Sequence, residues 1–222
     1  MSSWVALRDA GDLAREACRR IDLAAQQAVR ARNAFSLVLA GGGTPLQAYR
    51  LLARTRQDWS CWRLYYGDVR CLPADHPQRN STLVAATGLA AKVGGHYPIP
   101  AELGAQAAAA RYRARVEAAM PFDLVLLGMG EDGHTASLFP KHAWPTESVI
   151  AVHDSPKPPS NRVSLSPSAL RNCRQLLVLV SGAAKRDALA AWRGGADLPI
   201  ARVTAGTAAQ ILVERDLLEA AA

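Results

Sequence analysis

The sequence predicts an α/β fold, a mostly parallel sheet covered by helices on both faces. Three observations carry that expectation. Short apolar runs recur along the chain, and the clearest of them end in glycine. Segments with helical spacing alternate with these runs, the order that feeds a parallel sheet. The proline-rich stretch Pro156 to Ser160 is followed at once by further strand signals, and no internal repeat is present. It is therefore read as a rigid loop, and residues 1–222 as a single domain.

Taken in order, Asp9 to Arg32 reads as an amphipathic helix, with Leu13, Ala17, Ile21, Ala24 and Ala28 stepping by three or four. Phe35 to Ala40 is a buried strand running into the turn Gly41-Gly42-Gly43. Thr44-Pro45 then offers a hydroxyl at the N-cap and proline at the first helical position, opening a helix to about Arg54. Trp62 to Tyr66 is a second strand, followed by a polar loop from Gly67 to Asn80. Ala101 to Met120 is alanine-rich and helical. Phe122 to Leu127 is the most convincing buried strand, and it too ends in a glycine loop. Strands near Ser148 to Val152 and Gln175 to Ser181, a helix from about Ala183, and a last short strand and helix complete the pattern.

Half of the 222 residues are apolar, enough for a substantial core. Lysine and arginine outnumber acids by 26 to 19, a formal charge of +7. Such a balance suits nucleic acid, an anionic surface or a phosphorylated substrate. Most of the basic residues are arginines scattered through helical stretches, the pattern of a solvated surface. No helix-turn-helix or aromatic-rich RNA motif accompanies them, so no nucleic-acid partner is expected. Cys18, Cys61, Cys71 and Cys173 follow neither a zinc nor a disulfide spacing, and Cys71, Asp75 and His76 lack further ligands. No metal is expected, and reduced thiols suit a cytoplasmic protein. The first twenty residues carry acids and arginines without an apolar core, and no run approaches ~20 apolar residues. Neither a signal peptide nor a membrane partner is expected.

In open sheets of this type, ligands bind beyond the carboxyl ends of the strands. Four loops follow strands here: Gly41 to Thr44, Gly67 to Asn80, Gly128 to Thr135, and Ser181 to Lys185. They should converge on one rim. The first offers the backbone N–H groups of Gly42, Gly43 and Thr44 to an anion or a sugar oxygen, although a tight turn explains it equally well. It lacks the lysine of a nucleotide-binding P-loop.

Residues 128 to 140 contain a literal GxGxxG, with Asp154 about 20 residues further on, the dinucleotide spacing. That fingerprint needs a long helix directly behind it, and Pro140 and Trp144-Pro145 would break one. No nicotinamide cofactor is expected. The same loop holds His134, whose imidazole titrates near neutrality and suits a general base, with Asp132 two residues earlier to orient the ring. Arg70 follows Asp68 in the second loop, Lys157 and Arg162 flank the proline-rich loop, and Lys185 opens a helix. Any one of these cations suits a solvated surface. Several on one rim suit a phosphate dianion.

Together these loops resemble the 6-phosphogluconolactonase family, within the fold group that also holds glucosamine-6-phosphate deaminase and ribose-5-phosphate isomerase. The most specific piece is GMGEDGHTASLFP (128 to 140), supported by YYGDVRCLP (65 to 73), SPKPPSNRVSLS (155 to 166) and LVLVSGAAKRDAL (177 to 189). The stretch Thr135 to Pro140 looks like the lactonase rather than the deaminase branch. The resemblance implies a Rossmann-like sheet and hydrolysis of 6-phospho-D-glucono-1,5-lactone in the oxidative pentose phosphate pathway, without cofactor or metal. It implies His134 as base and Asp132 as its orienter. Gly42, Gly43, Thr44 and Asp68 would lie about the sugar and its oxyanion, and Arg162 and Lys185 would anchor the phosphate. Arg70 and Lys157 are further candidates, Arg70 for either group and Lys157 for the phosphate. A monomer or weak homo-oligomer is expected.

Four departures from the family pattern stand out. Gly43 replaces a frequent serine, Val69 a middle acid, Arg79 a serine, and Lys141 a glycine. A deaminase-like enzyme and a non-catalytic sugar-phosphate binder are the alternatives.

Overall fold

A computed structural model describes residues 2–219. The chain runs β1 (Ser3–Leu7), α1 (Ala10–Arg32), β2 (Phe35–Leu39), α2 (Gly43–Leu52), β3 (Trp62–Tyr66), β4 (Asp68–Arg70), α3 (Asn80–Ala85), β5 (Gly95–His96), α4 (Ala105–Ala119) and β6 (Phe122–Gly128). It continues through β7 (Val149–Val152), β8 (Arg162–Leu165), α5 (Pro167–Arg171), β9 (Cys173–Val180), α6 (Arg186–Arg193), α7 (Pro199–Thr204), β10 (Gln210–Glu214) and α8 (Arg215–Glu219).

Seven strands form one sheet in the order β1-β10-β9-β6-β2-β3-β5, and every pairing in it is parallel. Phe122 to Leu127 of β6 are buried without interruption, so the centre of the sheet is covered on both faces, as expected. Helix α1 buries Leu13, Ala17, Ile21, Ala24 and Ala28, the stripe its spacing announces. The Asp9 carboxylate accepts from the Asp12 N–H at 2.8 Å and starts that helix, and Asn33 ends it in the left-handed region.

Strand order locates the site. From β2 the chain builds outward through β3 to β5, then returns to β6 and builds the other way through β9 and β10. The direction reverses between β2 and β6, and a crevice opens beyond the carboxyl ends of strands at such a reversal. The loops after β2 and β6 are the two glycine loops.

Three features depart from expectation. The polar loop after Tyr66 holds β4, which joins β8 and β7 in a separate three-stranded antiparallel sheet. Gly67 couples the two sheets: its N–H donates to Leu39 O at 3.0 Å, and its carbonyl accepts from Leu165 N at 2.8 Å. The N-cap of α2 is Gly42 rather than Thr44, with no side-chain cap. Gly42 has φ of 105°, a left-handed conformation that a threonine would not adopt without strain. Strand β1 was not foreseen either; it is a largely exposed edge strand whose place is fixed by pairing with β10.

Candidate active site

The four expected loops converge on a cavity of about 350 Å³. Gly41 and Gly42 contribute the β2 side, and Tyr49 of α2 fixes that loop: its hydroxyl accepts from Ala40 N at 3.0 Å and donates to Ala40 O at 3.1 Å. Gly43 and Thr44 do not line the cavity; they already belong to the first turn of α2. Gly43 has open space where a Cβ would stand.

His134 lines the cavity from the β6 side. Its backbone N–H donates to Asp132 Oδ1 at 3.1 Å, and its ring Nδ1 is hydrogen-bonded to the same oxygen. Nδ1 is thus engaged, and Nε2 is the nitrogen left for the cavity. The turn closes through Gly130 N to His134 O at 2.8 Å and Thr135 Oγ1 to Gly128 O at 2.8 Å. Gly130 lies directly under the imidazole, and any Cβ there would collide with Nδ1 and Cε1. The glycine pattern that suggested a dinucleotide fingerprint therefore serves the histidine. Residues 129 to 148 contain no helix.

Burial is the main influence on His134 and lowers its pKa from the ordinary value; the Asp132 hydrogen bond and charge oppose it. Burial raises the Asp132 pKa, but the His134 hydrogen bond and charge outweigh it and the net direction is down. Both directions describe one state at neutral pH, a carboxylate beside a neutral imidazole. Neutral is the form a general base requires.

Alternation along β4 explains Val69. Asp68 and Arg70 face the cavity, while Val69 between them is buried on the opposite side of the strand. An acid at 69 would be driven into the core. Asp68 is held by distant residues: Asn80 Nδ2 donates to its Oδ1 at 3.1 Å, and Ser137 Oγ to its Oδ2 at 2.8 Å.

Arg70 pairs directly with Arg162 in the antiparallel register of β4 and β8. Like charges opposite each other are unfavourable unless an anion lies nearby. Arg162 is buried, and its Nε and Nη2 donate to the carbonyls of Lys157, Pro158 and Pro159 at 3.0 to 3.3 Å. Its guanidinium also lies over the Phe139 ring, 5.5 Å from the centroid. Arg162 thus braces the loop that carries Lys157 while lining the cavity, a double duty its sequence position does not reveal. Lys157 and Lys185 complete the cationic wall, and both pair with Glu131.

Arg79 is also buried, and it is a clamp rather than a site residue. It donates to Leu72 O, Ile99 O and Glu102 Oε2 at 2.6 to 3.2 Å. Glu131, Asn80 and Ser137 also belong to the site, and nothing in their residue types alone singles them out. All three lie in or beside the motifs quoted above; Glu131 and Ser137 meet partners from other loops, and Asn80 meets Asp68 across the turn of its own loop. Among the described residues, no group of three or more His, Cys, Asp or Glu side chains is placed to hold a metal ion. No described helix is long and apolar enough to cross a membrane.

Comparison with known proteins bears on this geometry. Residues 8–212 match the family model described as glucosamine-6-phosphate isomerases/6-phosphogluconolactonase. A 6-phosphogluconolactonase of Mycobacterium tuberculosis is 37% identical over 223 residues, covering 89% of this chain and 88% of that one. One from Streptomyces coelicolor is 35% identical, covering 85% and 82%. The crystal structure of the Thermotoga maritima 6-phosphogluconolactonase superposes with a TM-score of 0.87 at 26% identity, covering 96% of this chain and 100% of that one.

Proposed function

The chain belongs to the glucosamine-6-phosphate isomerase/6-phosphogluconolactonase family, and from that premise we propose that it is a hydrolase opening 6-phospho-D-glucono-1,5-lactone to 6-phospho-D-gluconate. The observation that carries the residue-level reading is the His134–Asp132 pair, with Nε2 left for a cavity that Arg70, Arg162, Lys157 and Lys185 make cationic.

The lactone phosphate lies towards Lys157 and Lys185, which places the ring carbonyl towards His134. His134 Nε2 removes a proton from water as the water oxygen bonds to the carbonyl carbon. Asp132 holds the Nδ1 proton and stabilises the imidazolium that forms. Arg70 and the backbone of Gly42 face the oxyanion, and Asp68 hydrogen-bonds a sugar hydroxyl. As the intermediate collapses, the bond from the carbonyl carbon to the ring oxygen breaks. The imidazolium returns its proton to that oxygen, leaving a carboxylic acid that ionises. An activated ester needs no cofactor for this step.

General base catalysis typically contributes ~10² to 10⁴-fold. His134→Ala is expected to fold normally and lose about that factor in lactone hydrolysis, measured by coupled dehydrogenase assay against an enzyme-free control. Turnover near the wild-type rate would overturn the assignment. The same preparation assayed on glucosamine 6-phosphate tests the deaminase alternative, for which no activity is expected.

The working unit is a monomer or weak homo-oligomer. The exposed large apolar side chains among the described residues, Trp4, Leu23 and Leu103, lie on separate elements. Sedimentation velocity tests this. A cytoplasmic location accords with four free cysteines and is tested by cell fractionation. No nucleic-acid partner belongs to this reading, and a filter-binding assay tests that.

A further inference from the structure

Glu131 stands beside Asp132 on the turn that carries His134, yet the proposed chemistry gives it no part. Its carboxylate meets two lysines from two other loops. Lys157, between β7 and β8, is paired with Oε1, and Lys185, just before α6, lies 3.4 Å from Oε2. All three residues line the cavity. Two oxygens of one small anion thus already bridge the two ammonium groups, at a separation close to that of two phosphate oxygens.

We propose that Glu131 is a resident counter-ion of the phosphate subsite, holding Lys157 and Lys185 together in the free protein and giving them up to the phosphate of the ligand. It weakens phosphate binding and so favours release of a phosphorylated product. Three observations carry this beyond an ordinary surface ion pair. The carboxylate is the common partner of the two cations among the described residues. Its side chain is 53% exposed while those of Lys157 and Lys185 are 31% and 24% exposed, so the acid is the member free to swing into solvent. Exposed pairs contribute little to stability, so breaking them for a dianion is easy. The hydrogen bond from Lys157 holds the Glu131 pKa at about 2. The carboxylate is therefore charged across the working pH range.

The inference rests on the phosphate subsite of the proposed function, but it can be tested without turnover. Isothermal titration of inorganic phosphate into the wild-type protein and into Glu131→Gln compares a charged and a neutral side chain of equal size. With the carboxylate gone, phosphate is expected to bind about three- to tenfold more tightly. Unchanged affinity would overturn the proposal, because the carboxylate would not be in competition. Weaker binding would overturn it too, by showing that Glu131 positions the lysines for phosphate. Absence of phosphate binding to either protein would remove the subsite itself. The His134→Ala assay tests the lactonase reading separately, so a protein that bound phosphate without hydrolysing the lactone would leave the counter-ion intact.

Discussion

At the residue scale, the pairing of His134 with Asp132 sets the pH dependence. Burial lowers the imidazole pKa below 6.5, and Asp132 pulls the other way without reversing the shift. The protonated ring cannot act as a base, so kcat/KM is expected to rise as pH rises through a midpoint below 6.5 and to be level at neutrality. Asp132→Asn removes the charge that favours the imidazolium. The midpoint should then move further down, while the plateau falls by ~10²-fold or more because the ring tautomer is no longer fixed. A midpoint that moved up would show that Asp132 does not act on His134. The residue types were legible in the sequence, since a histidine two residues from an aspartate in a glycine loop suggests this pair. The supports of Asp68 were not: Ser137 lies 69 positions from it, and only folding shows that the two meet.

At the element scale, strands buried on both sides declared themselves, because continuous apolar runs such as Phe122 to Leu127 fit few other environments. Helix α1 did so through its stripe. What stayed hidden were elements defined by their partners. Three residues of β4 become a strand only because β8 lies alongside, and exposed β1 only because β10 does. Asp68 and Arg70 are legible as site residues in the sequence, but the alternation that turns Val69 inward needs the strand. Loop conformation was hidden in the same way. Lys141, which follows the His134 loop, has φ of 62°. A side chain in that region costs roughly 1–2 kcal/mol, partly offset by the greater freedom of glycine in the unfolded chain. Lys141→Gly is expected to stabilise the protein by about 0.5–1 kcal/mol, raising Tm by about 1–3 °C in a thermal melt. A lower Tm would show that the lysine side chain makes contacts worth more than the strain.

At the scale of the whole molecule, the site is shared between two sheets. His134 and the glycine loop belong to the parallel sheet, whereas Asp68, Arg70 and Arg162 belong to the antiparallel one. We propose that the two unfold as one unit, as a single domain should. Val69, Val149, Val163 and Leu165 of the small sheet belong to the same continuous buried cluster as the strands of the large one. Arg113 of α4 donates to Val149 O at 3.3 Å, and Gly67 bonds to both sheets. Loss of lactone hydrolysis and loss of far-ultraviolet circular dichroism should therefore follow the same urea curve. Phosphate should shift both together, since a ligand that binds only the folded state at 100 times its Kd adds about 2.7 kcal/mol. If activity vanished at lower urea than the helical signal, and phosphate protected only activity, the antiparallel sheet would be a separately melting layer. The cationic wall would then be assembled by docking of that layer rather than by the fold as a whole.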